Sequence, residues 1–151
     1  MTLYLIRHGH AEDRFLWSGA DMERPLIDKG IVRAEKAFKR FLKLYNPPEK
    51  IITSNAVRAY QTAEILHDAC GAEIVYRDEL NPGASVKDYL SVTNKFSSSE
   101  PIAIVGHEPD MSEFISDYLS DGSLFLDFKK GSICVIRDRC LVNLIQQKVL
   151  I

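Results

Sequence analysis

Short apolar runs rich in β-branched residues alternate with longer segments of helical periodicity along almost the whole chain, and few folds accept that rhythm. The runs at residues 3–6, 50–53, 73–76, 102–105 and 133–137 predict strands, most of them buried on both faces. Ile31, Ala34, Phe38, Phe41 and Leu42 recur at helical spacing until Asn46-Pro47-Pro48 stops the run, and Val57, Tyr60, Ala63 and Leu66 do so until Gly71. Ser85 is placed to cap a third helix running to Phe96, and Asp110 a fourth running to Leu119. Residues 132–137 and 141–147 around Asp138-Arg139 predict a hairpin closing one edge of the sheet. The expected architecture is α/β: a three-layer α/β/α sandwich whose sheet is mostly parallel with an antiparallel edge. Length and the lack of a linker or repeat predict one domain over residues 1–151.

Composition narrows the function classes. A net charge of −2 offers no broad field for nucleic acid or an anionic membrane, so affinity for phosphate must come from a local cluster of cations. The apolar stretch before Arg7 is too short for a secretion signal or a membrane span, and Cys70, Cys134 and Cys140 form no CxxC pair. A cytoplasmic protein with reduced thiols is expected, and a monomer.

In a parallel sheet the ligand crevice lies at the carboxyl ends of the strands, and there the sequence concentrates its cations and imidazoles. The first strand runs into Arg7-His8-Gly9-His10, the second into Thr53-Ser54-Asn55 with Arg58 in the first turn of the next helix, and the fourth into Gly106-His107-Glu108-Pro109. A histidine at a strand end or an arginine on a helix has an ordinary structural reading when taken singly. Arg7, His8, Arg58 and His107 converging on one crevice would repel one another unless an anion is held there.

Those residues carry a resemblance. YLIRHGHAE resembles the RHG motif of the histidine phosphatase superfamily, SNAVRAYQTAEIL its second arginine motif and IVGHEP its second histidine motif, in the family's order. The chain length, RPLIDKG at 24–30 and DELNPG at 78–83 look most like its bacterial phosphohistidine phosphatase (SixA) branch. The resemblance implies a phosphoglycerate mutase-like fold and a phosphatase needing neither metal nor cofactor. It further implies that His8 is the phosphorylated nucleophile, that Arg7, Arg58 and His107 hold phosphoryl oxygens, and that Arg24 adds a contact. Glu79 matches the acidic residue that larger members carry after the third strand, with Asp78, Glu12 and Glu108 as alternatives for the general acid. Ser54 matches a recurrent serine, although helix capping would explain it equally. Gly9 is expected to hold one ring nitrogen of His8 through its carbonyl. Neighbouring cations should disfavour the imidazolium and keep the attacking lone pair free.

The expected substrate is the phosphohistidine of a histidine phosphotransfer domain, since only residues 11–23 and 80–85 could cover the crevice. Small phosphate esters, for a phosphatase or a mutase, are the alternative, and a non-catalytic phosphate-recognition module is a third reading. A zinc site on His8-x-His10 is disfavoured by Arg7 and Arg58, which would repel the ion. Phe15, Leu16 and Trp17 are expected to pack on the sheet edge rather than form a docking rim; His67 is expected at the surface and Cys134 in the core.

Overall fold

The computed structural model describes residues 1–151. Six strands form one sheet: β1 (Thr2–Arg7), β2 (Lys50–Thr53), β3 (Glu73–Tyr76), β4 (Ile102–Gly106), β5 (Ile133–Arg137) and β6 (Cys140–Ile145). Their order across the sheet is β3-β2-β4-β1-β5-β6. The first four are parallel, whereas β5 and β6 run antiparallel at one edge, as the alternation required. The hairpin turn places Asp138 and Arg139 both at positive φ, 50° and 61°, which matches the twist of the two strands it joins.

Four helices, α1 (Asp28–Leu44), α2 (Val57–Cys70), α3 (Val86–Lys95) and α4 (Asp110–Ser120), cover the two faces. Ala34, Phe38 and Phe41 of α1 and Ala59, Ala63 and Leu66 of α2 pack on one face with Tyr4, Ile6, Ile51 and Val105. Tyr89 and Val92 of α3 and Met111, Phe114 and Ile115 of α4 pack on the other with Leu3, Leu5, Ile52 and Ile104. Alternate residues of β1 thus enter opposite layers, as a strand of period two must. Cys134 is fully buried in the second layer.

Two local expectations change. β3 is an edge strand with Glu73 and Tyr76 exposed, so it is not covered on both faces. Asp110 is not the cap of α4: Pro109 occupies that position, and the Asp110 carboxylate instead accepts the Gly83 N–H at 2.9 Å, pinning the loop before α3. Ser85 does cap α3, in a reciprocal box with Asp88. His67 is exposed as expected, and its Nδ1–H donates to the Ala72 carbonyl at the end of α2. No helix is long and apolar enough to cross a membrane.

Candidate active site

Strand register builds the site. Arg7 pairs with Gly106 between β1 and β4, and Thr53 pairs with Val105 between β2 and β4. The residues that leave those strands, His8, His107 and Ser54, therefore emerge side by side. The His8 and His107 rings lie 5.3 Å apart between centroids, and His107 Nε2 is 2.8 Å from the Ser54 hydroxyl. Gly106 is required at this crossing, because a Cβ there would collide with the Tyr89 hydroxyl.

His8 is 6 % exposed, and its Nδ1 lies 2.8 Å from the Gly9 carbonyl. A carbonyl only accepts, so Nδ1 carries the proton and Nε2 bears the lone pair. Gly9 is held in turn: its N–H donates to Thr62 Oγ1 at 3.1 Å, and the Thr62 hydroxyl donates to the Arg58 carbonyl at 2.8 Å. Gly9 acts through its backbone and does not line the crevice, and a Cβ would find only ordinary contacts there. The His8 pKa is pushed well below the usual imidazole range, first by burial, then by His107, Arg58 and Arg7, against the opposing Gly9 hydrogen bond. Burial outranks the cations that the sequence argument had emphasised.

Arg58 sits at the start of α2, 4 % exposed, and donates to the Asp21 carbonyl at 2.9 Å and to Asp21 Oδ2 at 3.1 Å. Asp21 also accepts from Arg24 Nε at 3.2 Å, while an Arg24 terminal nitrogen donates to the Glu12 carbonyl at 2.7 Å. Asp21 thus holds two arginines, and sequence reasoning missed it; the only signal was an acidic residue three positions before Arg24. Arg7 donates to the Phe128 carbonyl at 2.9 Å. Arg7, His8, Arg24, Arg58 and His107 line one open crevice of about 490 Å³.

Burial, with Arg58 adding to it, lowers the His107 pKa to about 3, so this ring is neutral at physiological pH. Its Nδ1 is buried without a partner. Ser54 does not line the crevice and does not cap α2; Ala56 is the cap position, and the Ser54 hydroxyl accepts the Ala56 N–H at 3.0 Å. The single Ser54 hydroxyl proton has two acceptors in reach, His107 Nε2 at 2.8 Å and Asn81 Oδ1 at 3.4 Å, and Asn81 Oδ1 already accepts the Asn55 N–H; the shorter contact takes the proton, so His107 presents Nδ1–H as a donor to an anion. Ser54 is then a positioning residue that sets a tautomer.

The structure does not bring Glu79 to this place. It is exposed on the 3-10 turn Asp78–Leu80 and is absent from the crevice wall, because Leu80 of the same turn is drawn fully into the core. The loop delivers Pro82 to the crevice, while Asn81 accepts the Asn55 N–H and Asp78 accepts from Asn55 Nδ2. Glu12 and Glu108 are in the wall. Burial raises the Glu108 pKa, and Ser112 donates to its carboxylate through both N–H, at 2.8 Å, and hydroxyl.

His10 does not join His8: β1 ends at Arg7, so strand alternation does not extend to them, and the two rings line different hollows. No group of three or more His, Cys, Asp or Glu is placed to share a metal ion. Phe15 and Leu16 are 87 % and 85 % exposed, contrary to the expected packing on the sheet edge, and Phe15 lies in the crevice wall. Trp17 folds back over Gly19 and donates to the Ala20 carbonyl at 3.0 Å, tightening the loop and turning its neighbours outward.

Residues 3–82 match the family model described as the histidine phosphatase superfamily (branch 1). The chain belongs to the histidine phosphatase superfamily. Consistent with membership, it is 34 % identical over 142 residues to an uncharacterized protein of Picosynechococcus sp., covering 91 % of this chain and 85 % of that one. The crystal structure of the SixA protein of Agrobacterium tumefaciens is similar at 26 % identity, covering 96 % and 97 % of the two chains with a TM-score of 0.84. A protein histidine phosphatase SixA solved with tungstate shares the fold at 22 % identity over 100 % of both chains, with a TM-score of 0.82.

Proposed function

We propose that this enzyme removes phosphate through a phosphohistidine intermediate on His8, and that its substrate is the phosphohistidine of a histidine phosphotransfer domain. The observation that carries the reading is the neutral, buried His8 whose Nδ1 is tied to Gly9, so that Nε2 is the nucleophile facing a crevice lined by Arg7, Arg58 and His107. Nε2 attacks phosphorus and displaces the leaving group; water then attacks the phosphorylated imidazole and releases phosphate. Arg7, Arg58 and the His107 Nδ1–H neutralise the equatorial oxygens in a displacement that depends mainly on positioning and charge. We assign the general acid to Glu108, a carboxyl in the crevice wall whose pKa burial raises against the two hydrogen bonds that Ser112 donates to it. The site needs no metal for these steps and works as a phosphatase rather than a passive recognition module.

Exposed Phe15 and Leu16 beside an open crevice favour a protein substrate, because they supply an apolar rim that a docked domain would cover. The likeness to SixA proteins supports the same choice. Incubation with a phosphorylated phosphotransfer domain, with and without chelator, should release phosphate rapidly in the native protein and not in His8→Ala. Hydrolysis of p-nitrophenyl phosphate alone would keep the mechanism and overturn the substrate in favour of small phosphate esters.

A further inference from the structure

A second hollow, of about 360 Å³, adjoins the crevice and contains no hydrophobic lining residue. Arg7, His10, Arg33, Lys129, Lys130 and Lys148 line it, and Arg7 and Lys130 also belong to the crevice wall. One carboxylate, Asp127, faces these cations and is paired with Lys129 at 2.8 Å. The chain as a whole carries a charge of −2, so this concentration of positive charge is local. Arg7 Nε and His10 Nδ1 are buried without partners. Arg33, Lys130, Lys29 and Arg7 all add to burial in lowering the His10 pKa, which reports the positive potential there.

The hollow is built into the nucleophile's own backbone. The Gly131 N–H is shared between the Arg7 and His8 carbonyls at 3.1 and 2.9 Å, and the Ser132 N–H closes the lysine turn onto the Lys129 carbonyl at 3.0 Å. Gly131 has φ +73°, and a Cβ there would strike Gln147, whose Oε1 accepts from Arg33 Nε at 3.2 Å. The lysine turn, the segment carrying Lys148 and α1 are therefore fixed relative to His8.

We infer that this hollow is a second anion subsite, which holds a phosphate or carboxylate carried by the same substrate whose phosphoryl group lies over His8. Its small size and its lack of any Phe, Tyr or Trp in the wall suit a compact anion rather than a nucleic-acid strand, which needs stacking surfaces along a groove. Sharing Arg7 with the crevice places the two anions on one substrate. The inference rests on the phosphatase reading of the crevice and adds a requirement for a second negative group, supplied either by a small bisphosphate or by acidic side chains beside a phosphohistidine.

Calorimetric titration of the native protein with inorganic phosphate tests the subsite without catalysis. Two sites are expected; the Lys129→Gln/Lys148→Gln double variant, which alters two exposed lysines outside the crevice, should lose one, and Arg58→Ala the other. In the kinetic arm the double variant should keep its p-nitrophenyl phosphate activity. It should lose roughly tenfold in kcat/KM on propane-1,3-diol bisphosphate relative to propyl phosphate, or on a phosphorylated phosphotransfer domain, the affected substrate revealing the source of the second anion. A single phosphate site in the native protein, or two sites with neither substrate affected in the double variant, would overturn the inference. If no substrate is turned over by the native protein, the phosphatase reading fails, and the titration alone decides whether the subsite exists.

Discussion

Ser54→Ala isolates the step that sets the His107 tautomer. Ser54 is fully buried, and its hydroxyl meets His107 Nε2 at 2.8 Å and the Ala56 N–H at 3.0 Å. Removing it leaves two buried polar groups short of a partner. One unsatisfied buried group costs about 1–3 kcal/mol, and a chain of this length loses roughly 2–4 °C in Tm per kcal/mol. Two such groups cost about 2–6 kcal/mol together, so a drop of about 4–24 °C is expected, at the lower end where the site relaxes. The kinetic effect has a separate origin: without a donor on Nε2, His107 can place its proton there and turn a lone pair toward the phosphoryl oxygens. A lost oxyanion donor costs about 10²–10³ in kcat, and a donor lost in only part of the population costs less, about tenfold. Steady-state hydrolysis of p-nitrophenyl phosphate at a temperature where the variant is fully folded separates the two effects. Wild-type kcat with a lowered Tm would show Ser54 to be purely structural and would refute the tautomer argument.

The His107 pKa lies near 3 in the folded chain against about 6.5 when unfolded, so below pH 6.5 the unfolded state takes up a proton that the folded state refuses; stability should fall as pH drops from about 6.5 toward 3, and His107→Asn should flatten that slope in a Tm-against-pH series. The depressed His8 pKa keeps the nucleophile unprotonated, so the acid limb of kcat/KM should lie well below pH 6.5; a limb at 6.5 would contradict its burial. Glu108→Gln should lower kcat about 10²-fold on an alkyl phosphate, whose leaving group needs a proton, and much less on p-nitrophenyl phosphate, whereas Glu79→Gln should be silent in both assays. Asp21→Asn weakens the hold on Arg58 and Arg24 and should raise KM severalfold while leaving kcat nearly unchanged, as fitted initial rates would show.

Much of this could be read from sequence because strand ends and register follow from local pattern. The parallel runs forced His8, Arg58 and His107 toward one edge, and the Gly9 carbonyl contact required only that its neighbour carry the ring. What could not be read depended on where a loop turns. Glu79 and Glu108 both follow strands, but Leu80 enters the core and swings the adjacent Glu79 outward, an outcome set by core packing that the pattern around Glu79 does not encode. Asp21 and Thr62 reach the site across loops and helix faces, contacts that no spacing encodes. The outward turn of Phe15 and Leu16 depends on Trp17 closing against Gly19, which hydropathy alone would have reversed.

The pairing of Arg7 with Gly106 and of Thr53 with Val105 has a consequence for how such an enzyme can change. The catalytic groups are aligned by ladder positions rather than by the lengths of the connections between them, and closing a longer loop costs only about 0.6 kcal/mol per doubling. The segment from Arg14 to Ala20, which follows β1 and contributes Arg14 and Phe15 to the crevice wall, could therefore be lengthened with the reactive atoms left in place. Substrate range and chemistry are separable in this architecture: walls can be raised or removed around an anion cradle whose dimensions the sheet has already determined.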